Sequence, residues 1–359
     1  MHTAAQVAET PDESGTASAR RWRELVAEHQ VPSAKRATWQ LFNTLGSYAA
    51  VWYLIYLSAS VSWWLALPLA CFAGALMVRS FILFHDCCHG SFFESKLAND
   101  IVGFTIGVLT FTPYTHWRWE HALHHATAGN LDRRGVGDLW TLTVREYLEA
   151  SRWKRFAYRL ARNPFVLFVL APLAMFIVVQ RFPARKANAR DRRSVWLTNL
   201  AIVCVGFGMS LAFGFVPYLI LQLTAMAVGG AAGIWLFYVQ HQFEDAYWEN
   251  TESWDFTAAA LKGSSFYKLP KVLQWLSGNI GFHHIHHLST KIPNYNLERC
   301  HHSDPLFQRV KAITLLGSSK TLRLRLWDES SRKLIGFRKL AELRRSRAAD
   351  VVASRAARR

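Results

Sequence analysis

The sequence predicts an all-α integral membrane protein: four transmembrane helices in two hairpins, interfacial or re-entrant helices beside them, and a cytoplasmic helical cap carrying a histidine-rich centre. Three observations lead there. Of 359 residues, 51% are hydrophobic and 14% aromatic, with 15 Trp and 23 Phe, which is heavy in large apolar side chains for a soluble domain. Two long stretches hold no Lys, Arg, Asp or Glu: Ala37 to Val78, 42 residues, and Ser194 to Phe243, 50 residues. Histidines gather in three tight clusters, each against an apolar stretch.

Each charge-free stretch accommodates two spans of about 20 residues joined by a short turn. The turns are expected at Ser58 to Ser62 and around Gly214 to Pro217. Buried helices of soluble proteins seldom run this long without a charge. A secretory signal peptide does not account for the first stretch, because its apolar part is too long and a long polar leader precedes it.

Two shorter apolar runs, Ile101 to Thr115 and Asn163 to Gln180, are placed by parity. If the second crossed the bilayer, the later hairpin would deliver His241 and the third cluster to the face opposite the first two. Basic residues flank that run on both sides, Arg152, Lys154, Arg155, Arg159 and Arg162 before it and Arg181, Arg185, Lys186, Arg190, Arg192 and Arg193 after it, so both ends read as cytoplasmic. The runs are therefore expected to be interfacial or re-entrant, with both termini cytoplasmic; six spans is the alternative. Arg79, near the cytoplasmic end of the second span, is expected to snorkel.

The domains expected are a polar, basic cytoplasmic segment over 1–36, whose first 18 residues read as disordered, a membrane domain over 37–340, and a basic cytoplasmic tail over 341–359. The net charge of +17 fits attraction of these segments and the connections to anionic headgroups, and docking of an acidic electron carrier, better than a nucleic-acid partner. Cys71, Cys87, Cys88, Cys204 and Cys300 form no CxxC pair, which suits reduced thiols. Cys87 and Cys88 read as packing residues among imidazoles rather than as ligands.

The clusters are His85-Asp-Cys-Cys-His89, His121-Ala-Leu-His124-His125 and His283-His-Ile-His286-His287. On a helix, positions i, i+3 and i+4 share one face, so each H-x-x-H-H turns three imidazoles in one direction. That is metal-ligand spacing. A closed zinc site needs four ligands, and eight to ten histidines suffice for two metals with open positions. Imidazole suits iron, zinc and copper alike. A membrane metal transporter is the non-enzymatic alternative, but its path would place ionisable ligands within the spans, and none lies between Ala37 and Val78.

These residues resemble a family. His85-Asp-Cys-Cys-His-Gly-Ser-Phe92, the run His116 to His125 and Gly281-Phe-His-His-Ile-His-His-Leu288 are similar to the three histidine boxes of integral-membrane fatty acid desaturases. Asn130 to Asp138, Phe237 to Asp245 and Gly263 to Pro270 resemble the bacterial acyl-lipid branch. The resemblance implies two iron ions held by His85, His89, His121, His124, His125, His283, His286 and His287, with His241 as ninth ligand. Acyl-CoA members carry an asparagine one turn before that ninth histidine, holding a metal through water; Phe237 stands there instead. His116 and His284 are expected beside the ligands or facing substrate. Asp86, Glu120, Glu244 and Asp245 are candidates to accept the free N–H of ligating rings.

The implied activity is an oxidoreductase of the bacterial cytoplasmic membrane that uses molecular oxygen to place a cis double bond in a lipid acyl chain. Acyl-lipid hydroxylation is the sister chemistry. Trp63, Trp64, Phe81, Phe84, Trp235 and Leu236 are candidates for an acyl tunnel. Neither a His-Pro-Gly-Gly haem motif nor a glycine-rich nucleotide fingerprint occurs, so electrons are expected from a ferredoxin or cytochrome b5 with its NAD(P)H reductase.

Overall fold

The computed structural model describes residues 22–356; the readings for residues 1–18, for Arg20 and Arg21 and for the last three residues lie outside the described residues. The protein is mostly helical. The first charge-free stretch forms α1 (Ala34–Ala59) and α2 (Trp63–His89), broken at the expected serines, where the Ser62 hydroxyl caps α2 by accepting from Trp64 N at 3.3 Å. Next come α3 (Lys96–Leu109) and α4 (Tyr114–Thr127), then α5 (Arg152–Ala161) and α6 (Ala171–Ile177). The second stretch forms α7 (Ala189–Phe213) and α8 (Phe215–His241), parted only by Gly214. Beyond it lie α9 (His283–Leu288), α10 (Asn294–Ser303) and α11 (Phe337–Ala356).

Helices α2, α7 and α8 are long and apolar enough to cross a membrane. Helix α1, although 26 residues long, is not in that set. Its charge-free run is diluted by Gln40, Asn43, Thr44 and Ser47, and the structure gives the first of these polar groups partners. Gln40 Nε2 donates to Asn294 Oδ1 at 2.6 Å, and Thr44 Oγ1 accepts from Arg79 Nε at 2.9 Å. Arg79 therefore turns inward instead of snorkelling. It is buried, donates to the Trp275 carbonyl, and lays its guanidinium 4.0 Å from the Trp275 ring centre.

The segment from α5 through Arg181 bends by 65°, and taken as one broken span it would make a fourth crossing by length and composition. Both flanks of the apolar run within it, residues 163–180, reach neighbours of the clustered histidines. Arg162 Nη2 donates to Gln242 Oε1 at 2.7 Å, next in sequence to His241, while Gln180 Nε2 reaches Glu120 Oε2 at 3.5 Å, next to His121.

Helices α2 and α8 run side by side in the same direction. At their crossing two glycines remove the side chains that would hold the backbones apart. A Cβ at Gly74 would lie 2.6 Å from the Ala225 carbonyl oxygen, and one at Gly229 would lie 2.9 Å from that of Gly74. Around this contact Tyr48, Trp52, Ile55, Ala70, Ala73, Leu221 and Ala225 form one apolar core. Helix α7 is the peripheral member, turning Trp196, Leu200, Val203, Phe207 and Leu211 outward.

The all-α expectation needs one correction. Among the described residues five short strands occur: β1 (Leu142–Thr143), β2 (Phe266–Lys268), β3 (Ala312–Thr314), β4 (Leu326–Asp328) and β5 (Lys333–Ile335). They pair as β1-β4-β5 and β2-β3, with Phe266 opposite Ala312 in a parallel register. Extended connections of the cap satisfy their backbone groups this way, and they tie the chain after the third histidine cluster onto the rest.

Adding a methyl at the helix crossing by Gly74→Ala is expected to cost about 1–3 kcal/mol, lowering the melting temperature by about 1–2 °C per kcal/mol. Gly46→Ala, where an added Cβ meets nothing within 4 Å, is the control expected to lose no stability. Thermal melts of the two variants in detergent check this.

Candidate metal centre

All three clusters arrive at one place because each lies at or near the end of a helix. His85 and His89 close α2, His121, His124 and His125 lie in the last two turns of α4, His241 ends α8, and α9 is made almost entirely of the third cluster. Nine histidines form two groups. The ring nitrogens of His85, His89, His121, His125 and His286 lie within 4.8 Å of one another, and so do those of His124, His241, His283 and His287.

The H-x-x-H-H boxes do not act as single three-ligand faces. From α4, His121 and His125 enter the first group and His124 the second; from α9, His283 and His287 enter the second and His286 the first. At 100° per residue, i and i+4 lie about 40° apart while i+3 lies about 60° to the other side of i. Each box therefore serves two adjacent centres, and the two boxes exchange their middle histidine.

Within the groups, nitrogen faces nitrogen. Nε2 to Nε2 distances are 3.0 Å for His121 and His125, 2.9 Å for His125 and His286, 2.9 Å for His241 and His283, and 3.0 Å for His283 and His287. Ligands at right angles about a metal, each about 2.1 Å from it, stand about 3.0 Å apart. Nε2 of His89 and of His124 is buried with no hydrogen-bond partner. Burial first, and neighbouring imidazoles second, hold His121, His125, His283, His286 and His287 well below the ordinary imidazole range. They are neutral at pH 7, with lone pairs free for a cation. The two groups are suited to metal binding, and the donor set fits it.

Three outer contacts fix which nitrogen points inward. His85 Nδ1 lies 3.2 Å from Asp86 Oδ1, whose other oxygen accepts from Asn294 N at 2.6 Å and Asn294 Nδ2 at 2.8 Å. His241 Nδ1 donates to the Gly263 carbonyl at 3.2 Å. His124 Nδ1 donates to Asp138 Oδ1 at 2.7 Å. Asp138 was not among the carboxylates expected in this role. Its signal lies in Gly135-Val-Gly-Asp138: Gly137 has φ +72°, and a Cβ there would lie 2.9 Å from His124 Cβ, so glycine lets the loop close on the histidine.

The other carboxylate candidates serve elsewhere. Glu244 and Asp245 are exposed and pair with Lys333 at 3.2 and 3.4 Å, and Asp245 also with Lys311 at 2.8 Å. Glu120 meets Gln180 and, at 3.7 Å, His116, rather than a ring of either group. His116 lies outside both groups, stacked on Trp119. His284 is a core histidine: its Nε2 is 3.1 Å from both His301 Nδ1 and the Phe307 carbonyl, and burial, with His301 beside it, pushes it down to about 3. Cys87 and Cys88 are buried, and neither belongs to a group.

Aromatic rings wall the groups. Trp117 stacks on His121 with ring centres 4.3 Å apart and packs against Phe81 and Phe84, and Phe237 lies against His124 and His241. Trp235 and Leu236 pack near Tyr267, where Trp235 Nε1 donates to Tyr267 Oη at 3.1 Å. Trp63 and Trp64 are no part of this wall, because they sit at the far end of α2, where Trp64 is 87% exposed. A cleft of about 560 Å³ between Trp22, Val26, Phe256 and Lys291 runs down to His125 and His287.

Long apolar helices with two buried histidine groups at one end fit a protein class: integral membrane proteins with histidine groups suited to metal binding. The comparisons with known proteins name the family. The model described as fatty acid desaturase matches residues 62–311. A "Fatty acid desaturase" of Bacillus subtilis (strain 168) is 49% identical over 319 residues, covering 89% of this chain and 90% of the relative. An "sn-1 oleoyl-lipid 12-desaturase" of Anabaena variabilis is 28% identical over 267 residues, 69% of this chain and 71% of the relative. The "Omega-6 fatty acid desaturase, chloroplastic" of Spinacia oleracea is 27% identical over 263 residues, 69% of this chain and 55% of that longer protein. The chain belongs to the fatty acid desaturase family and is thereby an oxidoreductase acting on fatty acids.

Asp138→Ala frees His124 to turn and is expected to weaken metal binding by the four-histidine group about 10–100-fold. Glu244→Ala is expected to leave it unchanged. Competition titrations against a chromophoric chelator compare the two.

Proposed function

We propose that the chain is an oxygen-dependent di-iron desaturase that introduces a cis double bond into the acyl chain of a membrane lipid. One observation carries the reading: nine histidines divide five and four, nitrogen to nitrogen, where α2 and α8, apolar enough to cross a membrane, come to their ends. His85, His89, His121, His125 and His286 would hold one iron, and His124, His241, His283 and His287 the other.

An unactivated methylene has neither an acidic proton nor a leaving group, so no side-chain acid or base can attack it. Bound iron supplies what is missing, the activation of oxygen for hydrogen abstraction. The balance is one –CH2–CH2– unit, one O2, two electrons and two protons in, one –CH=CH– unit and two waters out. The chain's own residues set geometry and dryness. Asp86, Asp138 and the Gly263 carbonyl orient the rings of His85, His124 and His241, while Phe81, Phe84, Trp117 and Phe237 exclude water beside them.

The same proposal places four spans in a bacterial inner membrane with both histidine groups on the cytoplasmic side. The flanking basic residues support it, as do the two flanks of the 163–180 run meeting neighbours of His241 and His121. Electrons would come from a ferredoxin or cytochrome b5 with its reductase, and the cleft that ends on His125 and His287 brings the protein surface to both groups. The cyanobacterial relative is named for an oleoyl lipid, which supports a lipid-bound chain over a CoA thioester.

Expression in a desaturase-deficient bacterium with a competent electron donor tests the reading through fatty-acid methyl esters, with double bonds located by mass spectrometry. New unsaturated chains are expected with the wild type and none with His124→Ala. Hydroxylated chains or an unchanged profile would overturn it. Purified protein is expected to hold two irons per chain, and His241→Ala fewer, as read by plasma mass spectrometry.

A further inference from the structure

Helix α5 is the most sharply two-faced of the described helices of ten residues or more. At 100° per residue, Trp153, Phe156, Ala157 and Leu160 fall within an arc of about 100°. That arc faces outward: Trp153 is 81%, Phe156 58% and Leu160 50% exposed. Arg152 lines one edge of it and Lys154 the other, and among the described residues neither pairs with a carboxylate. The opposite face is anchored. Tyr158 is fully buried, donates to the Arg325 carbonyl and accepts from Leu142 N at 3.2 Å. Arg162, just past the helix end, holds Gln242.

We propose that α5 lies in the headgroup plane of the bilayer, its apolar arc turned to the acyl chains, and that Arg152 and Lys154 bind the phosphates of anionic phospholipids. Two observations select a lipid surface as the occupant. The cations border the apolar arc on both sides, as an interfacial helix requires, and their number forbids sinking the helix into hydrocarbon. The apolar surface also continues past the 65° bend into exposed Phe165, Leu170, Val178 and Val179. Through Arg162 and Gln242 the helix is tied to His241, so the headgroup plane fixes the depth of the four-histidine group.

The full chain, in nanodiscs of phosphatidylcholine and phosphatidylglycerol in equal parts, carries a nitroxide at Phe156→Cys with the exposed Cys71 and Cys204 replaced by Ser. Oxygen is expected to relax the label more than a water-soluble nickel chelate does. The reverse order, or shielding from both by a protein partner or a second copy, would overturn the proposal. The double variant R152Q/K154Q, confirmed as folded by its thermal melt, is expected to lose preference for phosphatidylglycerol over phosphatidylcholine in native mass spectrometry, by about fivefold per cation. An unchanged lipid ratio would overturn the headgroup contact.

Discussion

Nine imidazoles packed nitrogen to nitrogen cannot satisfy one another. A neutral imidazole has one donor and one acceptor nitrogen. For His85, His124 and His241 the donor is committed outward, to Asp86, Asp138 and the Gly263 carbonyl, so their Nε2 lone pairs point into the groups. His125 Nε2 faces two other Nε2 atoms at 2.9 and 3.0 Å, more than one nitrogen can pair with. Each buried polar atom left unpaired costs about 1–3 kcal/mol. A cation among the lone pairs turns that cost into binding energy, so metal loading and the stability of this region are coupled.

The rest of the structure delivers these rings. Side-by-side α2 and α8 must end at the same depth, and the Gly74 and Gly229 contact sets how closely they approach. Helix α4 brings three histidines to meet them, and α9 completes both groups. Asn294, heading α10, holds Asp86 from one side and Gln40 of α1 from the other, so the first hairpin is clamped to the cap by polar contacts rather than by apolar packing alone.

What could be read from the chain follows how local each signal is. The absence of charge over tens of residues is a local property, and the helix breaks fell at Ser60 to Ser62 and at Gly214, inside the expected turns. Counting charges alone misjudged how polar α1 is, because Gln40, Asn43 and Thr44 are polar without being charged. It misjudged Arg79 too, whose acceptors come from Thr44 and the Trp275 carbonyl, 35 and 196 residues away in sequence. Helical spacing named the eight box histidines and the family resemblance added His241, but neither gave their division, since which neighbour each ring meets depends on how the helices assemble. Asp138 sits on a loop, where no periodicity applies. Glu244 and Asp245 follow His241 closely in sequence, yet the chain turns there and gives them to Lys333 and Lys311. Strands of two or three residues are too short to show an alternating pattern.

An all-imidazole site has an electrostatic consequence. Two divalent cations bound by neutral rings alone would leave four positive charges in a buried place, with no carboxylate among the ligands. Helices α2, α4, α8 and α9 all present their last turns to the groups. The C-terminal end of a helix of several turns carries roughly half a negative charge from its aligned peptide dipoles. Three such ends, those of α2, α4 and α8, together with the carboxylates of Asp86 and Asp138 one hydrogen bond further out, offset most of that charge. Neutral ligands then hold a charged centre without the protein placing a single anion against it.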